Sequence, residues 1–254
     1  MSKPVMVIWF SCGVASAVAA IQAIERYGRD YDIRIVNTPI LEEDLDNRRF
    51  LRDVEQHLKR KIEISINPKY PFCSTVDVWE RERFMLGPYG APCTKQLKKN
   101  ARHRWERLNK FDTFVLGFTA DEQKRHERFI QSERDDMTPV LIEAGMSRED
   151  CNRLLEKIGI QRPRIYNMGF KNGNCRGCVK SRSPRYWNLV REHFPDVFTH
   201  RAIQSQRIGC KLVRIKGVMR QLSDLLPNNK ESCDEDTDCD LFCKPEMYDA
   251  KTDL

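Results

Sequence analysis

The sequence predicts an α/β fold: an open parallel sheet flanked by helices, with a cysteine-rich C-terminal segment. Three observations predict it. Short apolar runs alternate with helix-like stretches through the first half, a pattern that needs crossover helices between parallel strands. The chain has 254 residues, room for one sizeable domain with a small appendage. Its composition, 40% hydrophobic and 32% charged, is that of an ordinary globular protein.

Each element has a local reason. Val5 to Phe10 (VMVIWF) is apolar throughout and reads as a buried strand. Ser16 to Tyr27 follows as a helix stopped by Gly28. Asp32 to Asn37 (DIRIVN) is a second strand, Asp44 to Lys59 a charged amphipathic helix, and Ile62 to Ile66 (IEISI) a third strand. Residues 75–86 and 94–108 read as helices, and Phe114 to Gly117 (FVLG) as a fourth strand. The pattern then changes. Ser147, with Asp150 three residues on, marks a capped helix start running to Ile158 before Gly159. The Gly/Asn-rich GFKNGNCRGC (169–178) precedes a helix opened by Ser183-Pro184 and closed near Phe194-Pro195. From Pro227 the tail is polar and acidic, with little regular structure expected. The chain therefore divides into an α/β domain over 1–145, a helical Cys-x-x-Cys module packed on it over 146–226, and an acidic tail over 227–254. No internal repeat is visible.

Lys and Arg outnumber Asp and Glu by 44 to 37, a net charge of +7 that suits an anionic ligand. No apolar run approaches the ~20 residues that span a bilayer. The N-terminus passes from one lysine into a strand-like run, so no secretory signal is read and a cytoplasmic location is expected. Ten cysteines in a reducing compartment point to metal or redox chemistry rather than disulfides. Cys151, inside an amphipathic pattern, reads as a small buried hydrophobe. No catalytic carboxylate pair or Ser/His/Asp triad emerges. The five histidines lie in charged, helix-like contexts and read as surface residues, with His126 the one worth checking.

The segment SCGVAS (11–16) stands where ligands bind in open α/β sheets, beyond the carboxyl end of a strand. Gly13 permits close backbone approach, Ser11 and Ser16 offer hydroxyls, and the helix N-terminus adds partial positive charge. The same residues also suit an ordinary βα turn, and the spacing matches neither common glycine-rich phosphate loop.

Here the sequence resembles a family. Ser-x-Gly-x-x-Ser after the first strand is similar to the pyrophosphate-binding loop of the adenine-nucleotide α-hydrolase-like (PP-loop) superfamily, and within it to the phosphoadenylylsulfate (PAPS) reductase family. PCTKQLKK (92–99), LGFTADEQKRHERF (116–129) and the segment 138–179, with its Pro-x-x-Tyr and Gly-Asn-Cys-x-x-Cys, agree in order. The resemblance spans about residues 5–200 and implies a Rossmann-like fold, of a kind similar to phage-carried members of the family. It implies that Ser11, Cys12, Gly13, Val14 and Ser16 hold the phosphates of ATP or PAPS, with Mg2+ as a companion. Asn37 and Thr38 would lie beside adenine and ribose, with Gly117 near the nucleotide. Lys95 or Lys98, Arg125 and Arg128 would meet phosphate or sulfonate oxygens. The bland alternative makes Lys95, Lys98, Lys99 and Arg102 the solvated face of a helix.

Cys175 and Cys178, flexibly spaced by Gly173 and Gly177, form the strongest chemical signal. The family's cluster-bearing members hold a [4Fe-4S] cluster with a Cys-Cys pair and a later Cys-x-x-Cys. Only Cys93, Cys175 and Cys178 carry over. Cys73, Cys239 or Cys243 would complete the set; zinc on the Cys175/Cys178 and Cys239/Cys243 arms is the alternative, and no metal the third. The reductases' C-terminal nucleophile has no match, because CDLFC (239–243) sits among carboxylates that disfavour a thiolate. The expected activity is ATP-dependent activation coupled to sulfur transfer, onto a nucleobase in one form, with Cys93 and Lys95 catalytic. Thioredoxin-linked reduction of PAPS or adenylylsulfate is the alternative, and a non-catalytic nucleic-acid-binding accessory the third. Trp105 in KKNARHRWERLNK (98–110) serves as a stacking residue only on that last reading and as core otherwise. A homo-oligomer remains open.

Overall fold

A computed structural model describes residues 2–88 and 90–229. It is an α/β protein whose sheet has four parallel strands in the order β3-β2-β1-β4. These are β1 (Val5–Trp9), β2 (Asp32–Asn37), β3 (Ile62–Ile64) and β4 (Thr113–Val115). β1 pairs along its whole length with β2, Val5 against Asp32 through Trp9 against Val36. It pairs with β4 on its other side, Met6 against Thr113. β1 is thus central, and its apolar run is buried from both faces by α1 (Val14–Tyr27) and by helices of the opposite layer.

Alternation along β1 sorts two cores. Met6, Ile8 and Phe10 pack with Ala17, Ile21 and Phe50, the last from α2 (Asp46–Leu58). Val7 and Trp9 face the other way, where Trp9 meets Trp105 edge-on at 5.6 Å. Beyond β3, α3 spans Thr75–Glu82, capped by the Ser74 hydroxyl accepting from the Asp77 N–H. Trp105 is core, on α4 (Asn100–Leu108). The helix expected over 94–108 is in fact two pieces, a π-helical segment Thr94–Lys99 running into α4.

The second half adds α5 (Gln123–Ser132), α6 (Val140–Glu143), α7 (Arg148–Lys157), α8 (Pro184–His193) and α9 (Pro195–Ile208). The Ser147–Asp150 capping box opens α7, and Ser183 caps α8 with Pro184 in its first turn. α7 packs on α1, and Cys151 is fully buried in that core. A third core joins α3 to α8 and α9 around Trp79 and Trp187, and includes Cys93, Cys175 and Cys178. Pro195 does not end the chain's helical stretch: it begins α9, as a proline at a first helical position can. The hairpin of β5 (Val213–Ile215) and β6 (Val218–Arg220) escapes a sequence reading because its strands are three residues long. Lys216 and Gly217 turn it with φ +48° and +78°, the two left-handed residues of a tight hairpin loop. Among the described residues no helix is long and apolar enough to cross a membrane. Most of the tail, with Cys239 and Cys243, lies outside the described residues.

Candidate functional site

The sheet order places the loop after β1 at the point where strand succession reverses, with β2 on one side and β4 on the other. Crevices open there in α/β sheets. A cleft of about 290 Å3 occupies this place, lined on the loop side by Ser11, Gly13, Val14 and Ser16.

The loop is held by its own serines. The Ser16 hydroxyl donates to the Gly13 carbonyl at 2.8 Å, while the Ser11 amide and hydroxyl each donate to Ser16 Oγ at 3.2 Å. Gly13 is the N-cap of α1, and among the described residues no side chain caps it and no acidic residue stands in the first turn. The first-turn residues Val14, Ala15 and Ser16 line the cleft, with the positive end of the helix behind them. The left-handed residue of the loop is Cys12, at φ +58°, whereas Gly13 has ordinary extended backbone at φ −95°. A Cβ at 13 would stand 3.5 Å from Ser11 Oγ and 4.0 Å from Ser16 Oγ, ordinary contact that the chain can accommodate, so what its absence leaves is open room between the two serines. Cys12 itself lies beneath the loop, buried, with Asn37 Nδ2 at 3.6 Å from its sulfur; burial and the nearby Glu43 raise its thiol pKa.

Gly117, after β4, closes the opposite wall. A Cβ on it would come within 2.8 Å of Ser16 N and 3.0 Å of Ala15 C, so only glycine lets this strand end touch the α1 N-terminus. Lys98 reaches the cleft from the π-helical segment and is buried at 6% exposure. Arg148, Arg162, Tyr166 and Lys171 line it from the second half. Arg148 Nη1 donates to Asn172 Oδ1 at 3.2 Å, and Arg162 donates to Asn167 Oδ1. Trp9 also lines the cleft, and its Nε1 is buried without a hydrogen-bond partner among the described residues.

Several expected contacts lie elsewhere. Asn37 is buried at the end of β2, where Nδ2 donates to the Phe10 carbonyl at 2.7 Å, and neither it nor Thr38 lines the cleft. Arg125 donates to Glu122 at 2.6 Å and stacks over the Phe118 ring; Arg128, exposed, donates to the Lys124 carbonyl. Lys95 lies near the Glu82 carboxylate rather than in the cleft. The solvated-face reading fails for Lys98 and for Arg102, which is 1% exposed with Glu106 and Glu133 beside it. Nor are all histidines on the surface. His126 and His193 are half-buried, and burial against Phe118 lowers the His126 pKa.

Next to the cleft is a small void lined by Cys93, Cys175 and Cys178 together with Thr75, Trp79, Thr94, Ile40 and Lys98. The three thiols come from distant stretches and are 5–7% exposed. Cys73 does not line the void; Cys239 and Cys243 lie outside the described residues. The Cys-x-x-Cys turn is built to shape. Tyr186 Oη accepts from the Cys178 amide at 2.6 Å and donates to the Cys175 carbonyl at 3.2 Å. Gly177 takes φ +70°, and Arg201 Nε donates to its carbonyl at 3.2 Å. Arg201 is buried, which lowers its pKa, and it stacks 4.2 Å from the Trp79 ring. Among the described residues no three His, Cys, Asp or Glu side chains converge to hold a single ion. The void that the three thiols line is small, about 10 Å3. Among the described residues Lys98 alone lines both the cleft and the void.

No protein-family model matches the chain, and no curated protein does. Among solved structures it is similar to the phosphoadenylyl-sulfate (PAPS) reductase of Candida auris in its phosphate complex. That pair shares 8% identity and a TM-score of 0.48, over 67% of this chain and 80% of that one. It is also similar to the U34-tRNA thiolase NcsA of Methanococcus maripaludis with its [4Fe-4S] cluster. Here identity is 11% and the TM-score 0.49, over 91% of this chain and 80% of that one.

Proposed function

We propose that the chain is an adenine-nucleotide-dependent enzyme of sulfur chemistry. It would bind ATP in the cleft and activate an acceptor by adenylation before sulfur is passed to that acceptor. The observation that carries this reading is the shared wall: Lys98 borders both the serine-and-glycine cradle and the three-cysteine void. An activated acceptor held at the cradle therefore lies beside the thiols. The residue motifs quoted for the PAPS reductase resemblance favour the same chemistry.

The roles follow from the geometry. The α1 N-terminus and the Ser11–Ser16 loop take the phosphates, with Mg2+ as companion. Lys98, Arg148, Arg162 and Lys171 supply cations around them. Charge neutralisation and positioning are what nucleotidyl transfer requires. Cys93, Cys175 and Cys178 would hold a [4Fe-4S] cluster, with zinc as the alternative; when bound, the cluster supplies a point from which sulfur is handed on. Pyrophosphate would leave when the acceptor is adenylated and AMP when sulfur displaces it, with Lys98 at the wall common to cleft and void. A nucleobase acceptor fits the net positive charge of the chain.

Pyrophosphate release tests the reading. Anaerobically purified protein should release pyrophosphate from ATP in the presence of its acceptor and bind ATP without it; failure to bind any adenine nucleotide would end the proposal. Release of sulfite from PAPS with thioredoxin, and no pyrophosphate from ATP, would assign reductase activity instead.

A further inference from the structure

A second cavity, of about 350 Å3, opens between α3 and α9 and shares no lining residue with the serine-and-glycine cleft. It borders the Cys-x-x-Cys turn through Arg176, which stands between the two cysteines, and through Arg201. Arg201 is 3% exposed, yet its hydrogen bonds go to neutral acceptors. Nε donates to the Gly177 carbonyl at 3.2 Å and Nη1 to Gln204 Oε1 at 2.5 Å. Among the described residues no carboxylate forms an ion pair with it. Buried charges in folded proteins are almost always paired. The carboxylates of the cavity are engaged elsewhere. Glu42 accepts from the Ser74 hydroxyl at 2.7 Å and the Thr75 amide at 2.8 Å, and acts on Arg201 only at longer range. Glu80 accepts from Gln204 Nε2 at 2.7 Å and from Arg207. Arg176 also has no ion pair among the described residues: its amide and its Nε both donate to the Glu42 carbonyl.

We propose that this cavity binds a small monocarboxylate with an aliphatic body, its carboxylate held by Arg176 and Arg201. Three arginines against two glutamates leave one positive charge, with His200 counted neutral. That charge matches a single carboxylate, whose two oxygens suit the planar guanidinium fork. A phosphate dianion would exceed it and face Glu42 and Glu80. Val76, Val197 and Ile203 supply the apolar wall, and two of them, Val76 and Ile203, are 38% and 60% exposed until an aliphatic body covers them. The site lies apart from the nucleotide cleft, so the proposal is independent of the functional reading above.

The test is isothermal titration of the full chain with hexanoate as the probe. One saturable site is expected. Hexan-1-ol, which has the body without the charge, and inorganic phosphate, which has charge without the body, should each bind at least about tenfold more weakly, the loss of one contact to a charged group. Arg176→Met removes a cation, and Ile203→Glu puts a negative charge where the body would lie. Each should weaken hexanoate at least about tenfold and leave ATP affinity unchanged. Arg201→Lys keeps the charge but loses the fork, and should weaken hexanoate as well. Arg176 is half-buried and Ile203 exposed, so those two variants carry the test should Arg201→Lys fold poorly. No saturable hexanoate binding to the wild type would overturn the proposal. So would wild-type affinity in both Arg176→Met and Ile203→Glu, or phosphate binding as tightly as hexanoate. A wild type that binds hexanoate but no adenine nucleotide would end the functional reading and leave this site standing.

Discussion

Gly117→Ala should injure both the fold and the cleft. The added methyl would sit 2.8 Å from Ser16 N, 3.0 Å from Ala15 C and 3.1 Å from Ser16 Cα. All three are backbone atoms of the loop and first turn of α1, so no flexible side chain can move aside. Ordinary contact requires a shift of about half an ångström between the β4 end and α1, which pack on a shared core. Overpacking of this kind costs about 1–3 kcal/mol. For a chain of this size that is a Tm drop of roughly 4–8 °C at the midpoint of the range. The same shift moves the N–H groups that face the cleft, and ATP affinity should fall at least about tenfold, since misplacement by a fraction of an ångström weakens oriented contacts. Calorimetric melting and isothermal titration with ATP read the two effects. A Gly117→Ala protein with wild-type Tm and wild-type affinity would refute the close approach argued here.

The companion substitution, Gly13→Ala, should separate the effects: its φ of −95° suits alanine and its nearest neighbour is 3.5 Å away. Stability should stay within about 0.5 kcal/mol while ATP binding is lost, by melting and titration. Lys98→Met should weaken ATP binding and alter the visible spectrum of the reconstituted protein together, whereas Arg128→Met, on an exposed side chain away from the cleft, should change neither. Cys175→Ala and Cys93→Ala should each reduce bound iron and sulfide, measured chemically after anaerobic purification. Burial pushes the Cys151 thiol up to about 12 from 9.0, so its contribution to stability is present below pH 9 and is lost as pH rises toward 12. Urea unfolding from pH 8.5 to 11 should therefore show a shallower alkaline decline in Cys151→Ala than in the wild type.

The sheet and its helices were legible because their apolar runs and caps are local signals. VMVIWF, short, apolar throughout and β-branched, reads as a doubly covered strand, and the Ser147 and Ser183 caps stand where the sequence puts them. The glycines were legible as positions but not as causes. Gly28 ends α1 with a right-handed φ of −64°, and what excludes a side chain there is the Ile24 carbonyl, 2.5 Å from any Cβ. In the loop after β1 the left-handed residue is Cys12, which no sequence signal marks. Lys98 was ambiguous for a physical reason: a helix reading of 94–108 assumes 3.6 residues per turn, and the π-helical segment changes that phase. Arg148, Arg162 and Lys171 join the cleft only through tertiary folding, which no spacing announces. Arg201 likewise reaches Gly177 from 24 residues away. Cys175 and Cys178 stand out by their spacing and Cys93 by resemblance, and the meeting of the three at one void is a matter of packing.

The claim that cleft and cysteine void form one site is tested most directly by recording the EPR spectrum of the reduced, reconstituted protein with and without saturating ATP. With Lys98 lining both, ATP should shift the cluster's g-values in the wild type and leave them unmoved in Lys98→Met. A cluster signal indifferent to bound ATP in the wild type would contradict the account.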